Sequence, residues 1–158
     1  MKHFILLSVL CLFVSIACGQ GLINYGANIT ITSGATVSID GTEGNFLNQD
    51  NGSSYIGKLG LYGTMDLKGD WTNNSSGPVL VATSTGTVTM TGNTQQEIKG
   101  STATNFYNLL LANTYGTSTS TQISMLVNTN VHHELTIPAT NNIGCTDTAI
   151  TLALGKDA

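Results

Sequence analysis

The 158-residue sequence predicts an all-β chain wound into a solenoid of stacked coils, and three observations carry that prediction. Apolar and small polar residues alternate with a period of two, in short β-branched runs between glycine- and asparagine-rich corners. A unit made of a small residue, a threonine and alternating apolar and polar positions returns at intervals in the twenties. Charge is scarce: charged residues make up 9% of the chain, where about a quarter is ordinary for a soluble domain.

The elements follow in order. Asn28-Ile29-Thr30-Ile31-Thr32 and Ala35-Thr36-Val37-Ser38-Ile39 alternate as half-buried strands do. Further strands are expected at residues 55–61, 64–67, 79–82, 86–90, 106–112, 122–127, 131–137 and 150–154. The corners between them include Asp40-Gly41, Asn51-Gly52, residues 73–78, Gly92-Asn93 and Asn141-Asn142, where glycine and asparagine tolerate left-handed backbone angles. No segment beyond residue 19 shows the three-to-four spacing of a capped amphipathic helix.

Three clear copies of the unit are Gly34-Ala35-Thr36-Val37-Ser38-Ile39, Gly63-Thr64-Met65-Asp66-Leu67-Lys68-Gly69 and Gly86-Thr87-Val88-Thr89-Met90-Thr91-Gly92. They start 29 and 23 residues apart, and looser versions lie near residues 131–137 and 150–155. Imperfect recurrence suits coils that bury their faces only against their neighbours. A β-sandwich accommodates the same strands and is the alternative. Composition favours the stack: 70 of the 158 residues are Gly, Thr, Asn or Ser. Rungs about 4.8 Å apart align equivalent side chains in columns. Like charges repel there, whereas Thr, Ser and Asn can bond along the column. Residues 20–158 are expected to form about six coils of one repeat domain.

The first 19 residues read as an export signal. Lys2 and His3 precede an apolar run from Phe4 to Ala17, shorter than the ~20 residues a membrane-spanning helix needs. Small residues at Ala17 and Gly19 place cleavage between Gly19 and Gln20 and the mature protein outside the cell or on its surface. A competing route is lipidation. Ser15-Ile16-Ala17-Cys18 partly resembles a lipoprotein box, although Ser15 stands where a larger aliphatic residue is usual, and acylated Cys18 would hold the protein on a membrane. After simple cleavage Cys145 is the remaining cysteine, so cohesion must come from the backbone ladder rather than from a disulfide.

Several function classes lose support. Five lysines, no arginine and a net charge of -4 offer no cationic cluster for nucleic acid. A hydrophobic content of 41% argues against disorder. A polysaccharide hydrolase needs two carboxylates about 5–10 Å apart. Asp66 and Asp70 are the nearest candidates, and a lyase would want the arginine that is missing. No catalytic residue or cofactor is assigned. In a regular strand His132 and Glu134 of His132-His133-Glu134 would share a face and offer two metal ligands, but no third is evident, so surface histidines are the favoured reading. Asp40, Glu43 and Asp50 flank a loop over residues 41–52 whose oxygens suit calcium, at a spacing that matches no specific calcium loop. Trp71 and Tyr62, with Tyr55 and Tyr107, are candidates for a platform on which sugar rings stack, although their pattern within strands suits a packed core or coil cap equally well.

Four strings follow one another in an order that carries a resemblance. They are Gly69-Asp70-Trp71-Thr72-Asn73-Asn74, then residues 86–92, then Gln95-Gln96-Glu97-Ile98-Lys99-Gly100, then Phe106-Tyr107-Asn108-Leu109. Residues 25–137 thereby resemble repeat regions of large secreted, surface-associated, adhesin-like proteins of Bacteroidetes that leave the cell by type IX secretion. The resemblance implies a right-handed parallel β-helix and a non-catalytic role as a stalk or attachment surface, with glycans or other surface proteins as partners. Separately, Asp147-Thr148-Ala149 resembles the short acceptor motif for O-glycosylation in Bacteroidetes, which would make Thr148 a modification site. Such adhesin-like proteins end in a separate sorting domain, whereas this sequence stops in mid-pattern at Gly155-Lys156-Asp157-Ala158. The expectation is therefore an N-terminal fragment of a longer protein.

Overall fold

The computed structural model describes residues 20–41, 43–52, 55–117, 119–145 and 152–155. Among them are fourteen strands and no helix: β1 (Gln20–Tyr25), β2 (Asn28–Ile31), β3 (Thr36–Ile39), β4 (Glu43–Gln49), β5 (Lys58–Leu61), β6 (Thr64–Leu67) and β7 (Trp71–Asn73). The series continues with β8 (Thr87–Met90), β9 (Gln96–Gly100), β10 (Thr104–Leu111), β11 (Ile123–Met125), β12 (Thr129–Thr136), β13 (Ile143–Cys145) and β14 (Leu152–Leu154).

A first sheet runs β1-β4-β7-β9-β11-β13 and a second runs β3-β6-β8-β10-β12-β14, with β2 and β5 forming a short third sheet. Every strand pair is parallel. A sandwich would pair its strands antiparallel, so that alternative is set aside. The chain visits the sheets in turn and winds a β-solenoid of about five turns rather than six. Successive first-sheet partners Leu22, Phe46, Trp71, Ile98 and Met125 lie 24 to 27 residues apart, a longer coil than the shortest repeat interval suggests.

The repeat unit is one rung of the second sheet. Thr36, Thr64 and Thr87 stack in register, and Ala35 is an extra residue in the first copy. Its apolar positions point inward and form the columns Val37-Met65-Val88-Leu109 and Ile39-Leu67-Met90-Leu111. Its glycine is explained by close approach. A side chain on Gly86 would meet the carbonyl of Gly63, and one on Gly63 would meet that of Ala35. Outward columns carry isolated carboxylates: Asp66 lies between Ser38 and Thr89, and Glu134 beside Asn108. This spacing of charge is what a 4.8 Å rung separation favours.

The centre of the core is aromatic. Trp71 is fully buried, with its ring centroid 4.5 Å from that of Phe46 and 5.0 Å from that of Phe106, both tilted. Its indole N–H donates to the buried Thr104 hydroxyl at 3.0 Å, so the one polar atom of the ring is satisfied.

Corners between sheets are closed by buried amides. Asn24, Asn48 and Asn73 stack at the end of successive first-sheet rungs, each at most 1% exposed. Asn48 Nδ2 lies 3.0 Å from the Gly57 carbonyl, 3.1 Å from the Ser75 hydroxyl and 3.3 Å from Asn73 Oδ1. At the opposite corner Gln96 donates to the carbonyls of Leu67 and Gly69, while its own oxygen accepts from the Gly92 N–H and from Asn113. Gln122 repeats the arrangement one coil on, donating to the carbonyls of Thr117 and Thr140 and accepting from the Asn142 N–H.

The coil changes cross-section partway along. The third sheet ends at Leu80, which pairs with Leu59 as a single bridge. In later coils its place is taken by the first halves of the eight-residue strands β10 and β12. At the join Phe106 pairs with Val131 and Asn108 with Glu134, so Tyr107 faces both His132 and His133 across a β-bulge.

Two substitutions test this packing by urea unfolding. Gly86→Ala is expected to lower stability by roughly 1–3 kcal/mol, because the nearest opposing atom, the Gly63 carbonyl oxygen, is backbone and cannot swing aside. Trp71→Ala should cost roughly 3–5 kcal/mol through the cavity it leaves.

Candidate functional site

The structure sorts the residues singled out above. Trp71 is fully buried between Phe46 and Phe106, so neither ring face can meet a sugar. It belongs to the core, and its place in the expected platform is corrected accordingly. Tyr62 lies at the surface, 36% exposed, with its hydroxyl 2.9 Å from that of Thr83. Tyr55 is the more exposed ring, and Tyr107 is half-buried, stacked nearly parallel on His133 at 4.8 Å. Gln20 begins β1, whereas Gly19, Cys18 and Thr148 lie outside the described residues.

The expected calcium loop is largely a strand. Residues 43–49 form β4, which pairs with β1 on one side and β7 on the other. Asp40 and Glu43 are exposed, and Asp50 accepts a bond from the Ser76 N–H at 2.8 Å, which ties two coils together. The bulge at Tyr107 also breaks the alternation expected of His132 and Glu134, and both histidines and the glutamate are exposed. His133 Nδ1 lies 2.7 Å from Asn108 Oδ1, and Glu134 accepts from Thr136. Among the described residues no three His, Cys, Asp or Glu side chains come together to hold a metal.

Asp70 forms a different constellation from the expected one with Asp66. Its Oδ2 lies 2.6 Å from Lys99 Nζ, and Glu97 Oε2 lies 2.7 Å from the same ammonium. Asp70 Oδ1 accepts the Glu97 N–H at 2.8 Å. Both oxygens of Asp70 are thus engaged in joining one coil to the next. Burial acts to lower the Lys99 pKa, but the hydrogen bonds and charges of Asp70 and Glu97 outweigh it and hold the ammonium above the usual lysine value.

Among the described residues a small concavity lies beside Thr87, Asn108 and Glu134, and two larger concave regions mark the surface. One is a notch of about 470 Å³ where the third sheet ends. Pro78, Leu80, Val81 and Ala82 make its apolar wall, and Asn105, Tyr107 and His132 of the long strands face them, with Ser84 at the base. The other follows the corner from the second sheet to the first. There Lys68, Thr91, Asn93 and Thr114 line one stretch, and Thr114, Thr117 and Thr140 the next. The notch escapes a reading by strand alternation because it depends on a bulge. One signal was available: the apolar pair Phe106 and Leu109 is three residues apart, while its stacked counterpart Val131 and Leu135 is four apart.

No family model matches the chain, and no curated protein or solved structure shows significant similarity to it.

The Asp70–Lys99–Glu97 cluster has a measurable pH signature. A lysine whose folded pKa is raised contributes fully below its unfolded value, near 10.4, and loses that contribution as pH climbs through the folded value. Lys99→Met is expected to lower stability by about 0.5–1 kcal/mol at pH 7, in keeping with partly exposed pairs. The difference from the wild type should shrink above about pH 10.5 when urea midpoints are compared across pH.

Proposed function

We propose that this chain is a non-catalytic, secreted or cell-surface attachment protein whose stacked coils present a largely uncharged surface to glycans or other surface proteins. The observation that carries this reading is the outward face of the second sheet. Its columns run Thr36-Thr64-Thr87-Asn108-Glu134 and Ser38-Asp66-Thr89-Leu110-Thr136, a mostly polar array with two isolated carboxylates and one leucine between β3 and β12. Such an array favours many weak hydrogen bonds over one strong charged contact. The four strings that resemble adhesin-like repeats fall on or beside four successive strands, β7 to β10, which supports the attachment role.

A polysaccharide-active enzyme finds less support. The carboxylates of Asp70 and Glu97 approach the same ammonium, and each oxygen of Asp70 already bonds to the neighbouring coil. Export through residues 1–19, with release at Gly19 or anchoring at Cys18, supplies the route to the surface in this reading.

The test is binding without turnover. Fluorescently labelled full chain is incubated with a panel of immobilised neutral and acidic polysaccharides and with whole cells, and the supernatant is assayed for reducing ends and unsaturated uronates. Retention on at least one surface with no released product is expected. Release of oligosaccharides by the wild type would establish the enzymatic alternative instead.

A further inference from the structure

We infer that the notch at the end of the third sheet is a binding site for a single sugar ring of a neutral glycan, held between the apolar wall of residues 78–82 and the polar side chains of Asn105, Tyr107 and His132. This deepens the attachment reading and rests on it.

The notch is built rather than incidental. The bridge at Leu80 is made by its neighbours: Leu59 donates to the Val79 carbonyl at 2.7 Å, and Val81 donates to the Leu59 carbonyl at 3.1 Å. In a parallel pair the intervening residue turns its own N–H and C=O the other way. Leu80 therefore directs one backbone donor and one acceptor toward the notch. Across from it, the bulge on β12 sets two histidines opposite Tyr107 and changes where their side chains point. His133 stacks on Tyr107 and bonds Asn108, which holds the tyrosine ring in place. His132 lines the notch itself. Asn105 Oδ1 accepts from Asn130 at 2.6 Å, which fixes the orientation of its amide. On the next coil a side chain at position 155 would crowd His132 Nδ1, and the residue there is Gly155.

The chemistry selects the ligand class. One flank is aliphatic, the other carries an amide, a phenol and an imidazole, and among the described residues no Asp, Glu or Lys lines the space. A pyranose has that division, with an apolar C–H face and an edge of hydroxyls, and a neutral one needs no counter-charge. An extended peptide fits less well. Strand addition needs a run of free backbone groups along an edge, and the third sheet offers a single residue there. The volume of about 470 Å³ lies within the range of small-molecule sites.

The test uses isotope-labelled full chain titrated separately with cellohexaose, laminarihexaose, mannohexaose, a polygalacturonate oligomer and a tryptophan-containing peptide. At least one neutral hexasaccharide is expected to shift the side-chain amide of Asn105 and the ring signals of His132 and Tyr107. Asn105→Ala and His132→Ala should each weaken that binding at least tenfold without moving the urea midpoint, and Gly155→Val should weaken it by crowding His132. Shifts confined to Thr91, Thr114 and Thr140 would place the site in the corner groove and overturn the notch while leaving the attachment role intact. A preference for the polygalacturonate or the peptide would overturn the neutral-sugar assignment. Whole-cell attachment that survives both alanine variants unchanged would overturn the notch alone. Wild-type chain that binds neither cells nor any glycan would overturn both readings.

Discussion

A coil that leaves one sheet to join another must at that point give up its ladder partners, and the corner is buried between the coils above and below. Unpaired backbone groups in such a place cost roughly 1–3 kcal/mol each, so they must be met from elsewhere. Here they are met by side-chain amides. Asn24, Asn48 and Asn73 serve one corner, and Gln96, Asn113, Gln122 and Asn141 the opposite one. Asn141 reaches back to the carbonyls of Leu111 and Asn113 in the coil before it. The rest of the structure depends on these amides. They allow short strands, some of only three residues, to change direction abruptly and still form a continuous stack.

That same device decided what could be read from the sequence. The second sheet was legible almost in full, because its rungs alternate apolar and threonine positions: β3, β6 and β8 match the expected strands to within a residue. The first sheet was mostly hidden. Of its six strands only β11 was anticipated, and β1, β4, β7, β9 and β13 were not. Their inward positions mix Phe46, Trp71 and Ile98 with Asn24, Asn48, Asn73 and Gln96, which breaks the hydrophobic period on which a strand assignment relies. Residues 43–49 accordingly read as a polar loop, and an amide inside the core looks in sequence like an amide in a turn. Trp71 is a related case: an aromatic in a polar string suits a sugar platform and a packed core equally, and the stack above and below decides for the core.

Candidate contacts were partly legible. Tyr62 lies at the surface, with its hydroxyl bonded to that of Thr83. Asn105 and Leu80 carried no signal, since one is an ordinary polar strand residue and the other an ordinary apolar one. What makes them neighbours is the exchange of a three-sided coil for one built on longer, bent strands. A surface of largely repetitive polar columns thus acquires a concavity where the repetition fails.

The same change of outline constrains how such a chain can grow over evolutionary time. Tandem duplication of a whole coil succeeds only if the copy meets an outline like its own on both flanks. Insertions before residue 78 must carry a third short strand, and those after residue 104 must carry the long bent one. The two portions are therefore free to lengthen separately but not to exchange modules, and the junction between them is preserved by geometry even if nothing ever binds there.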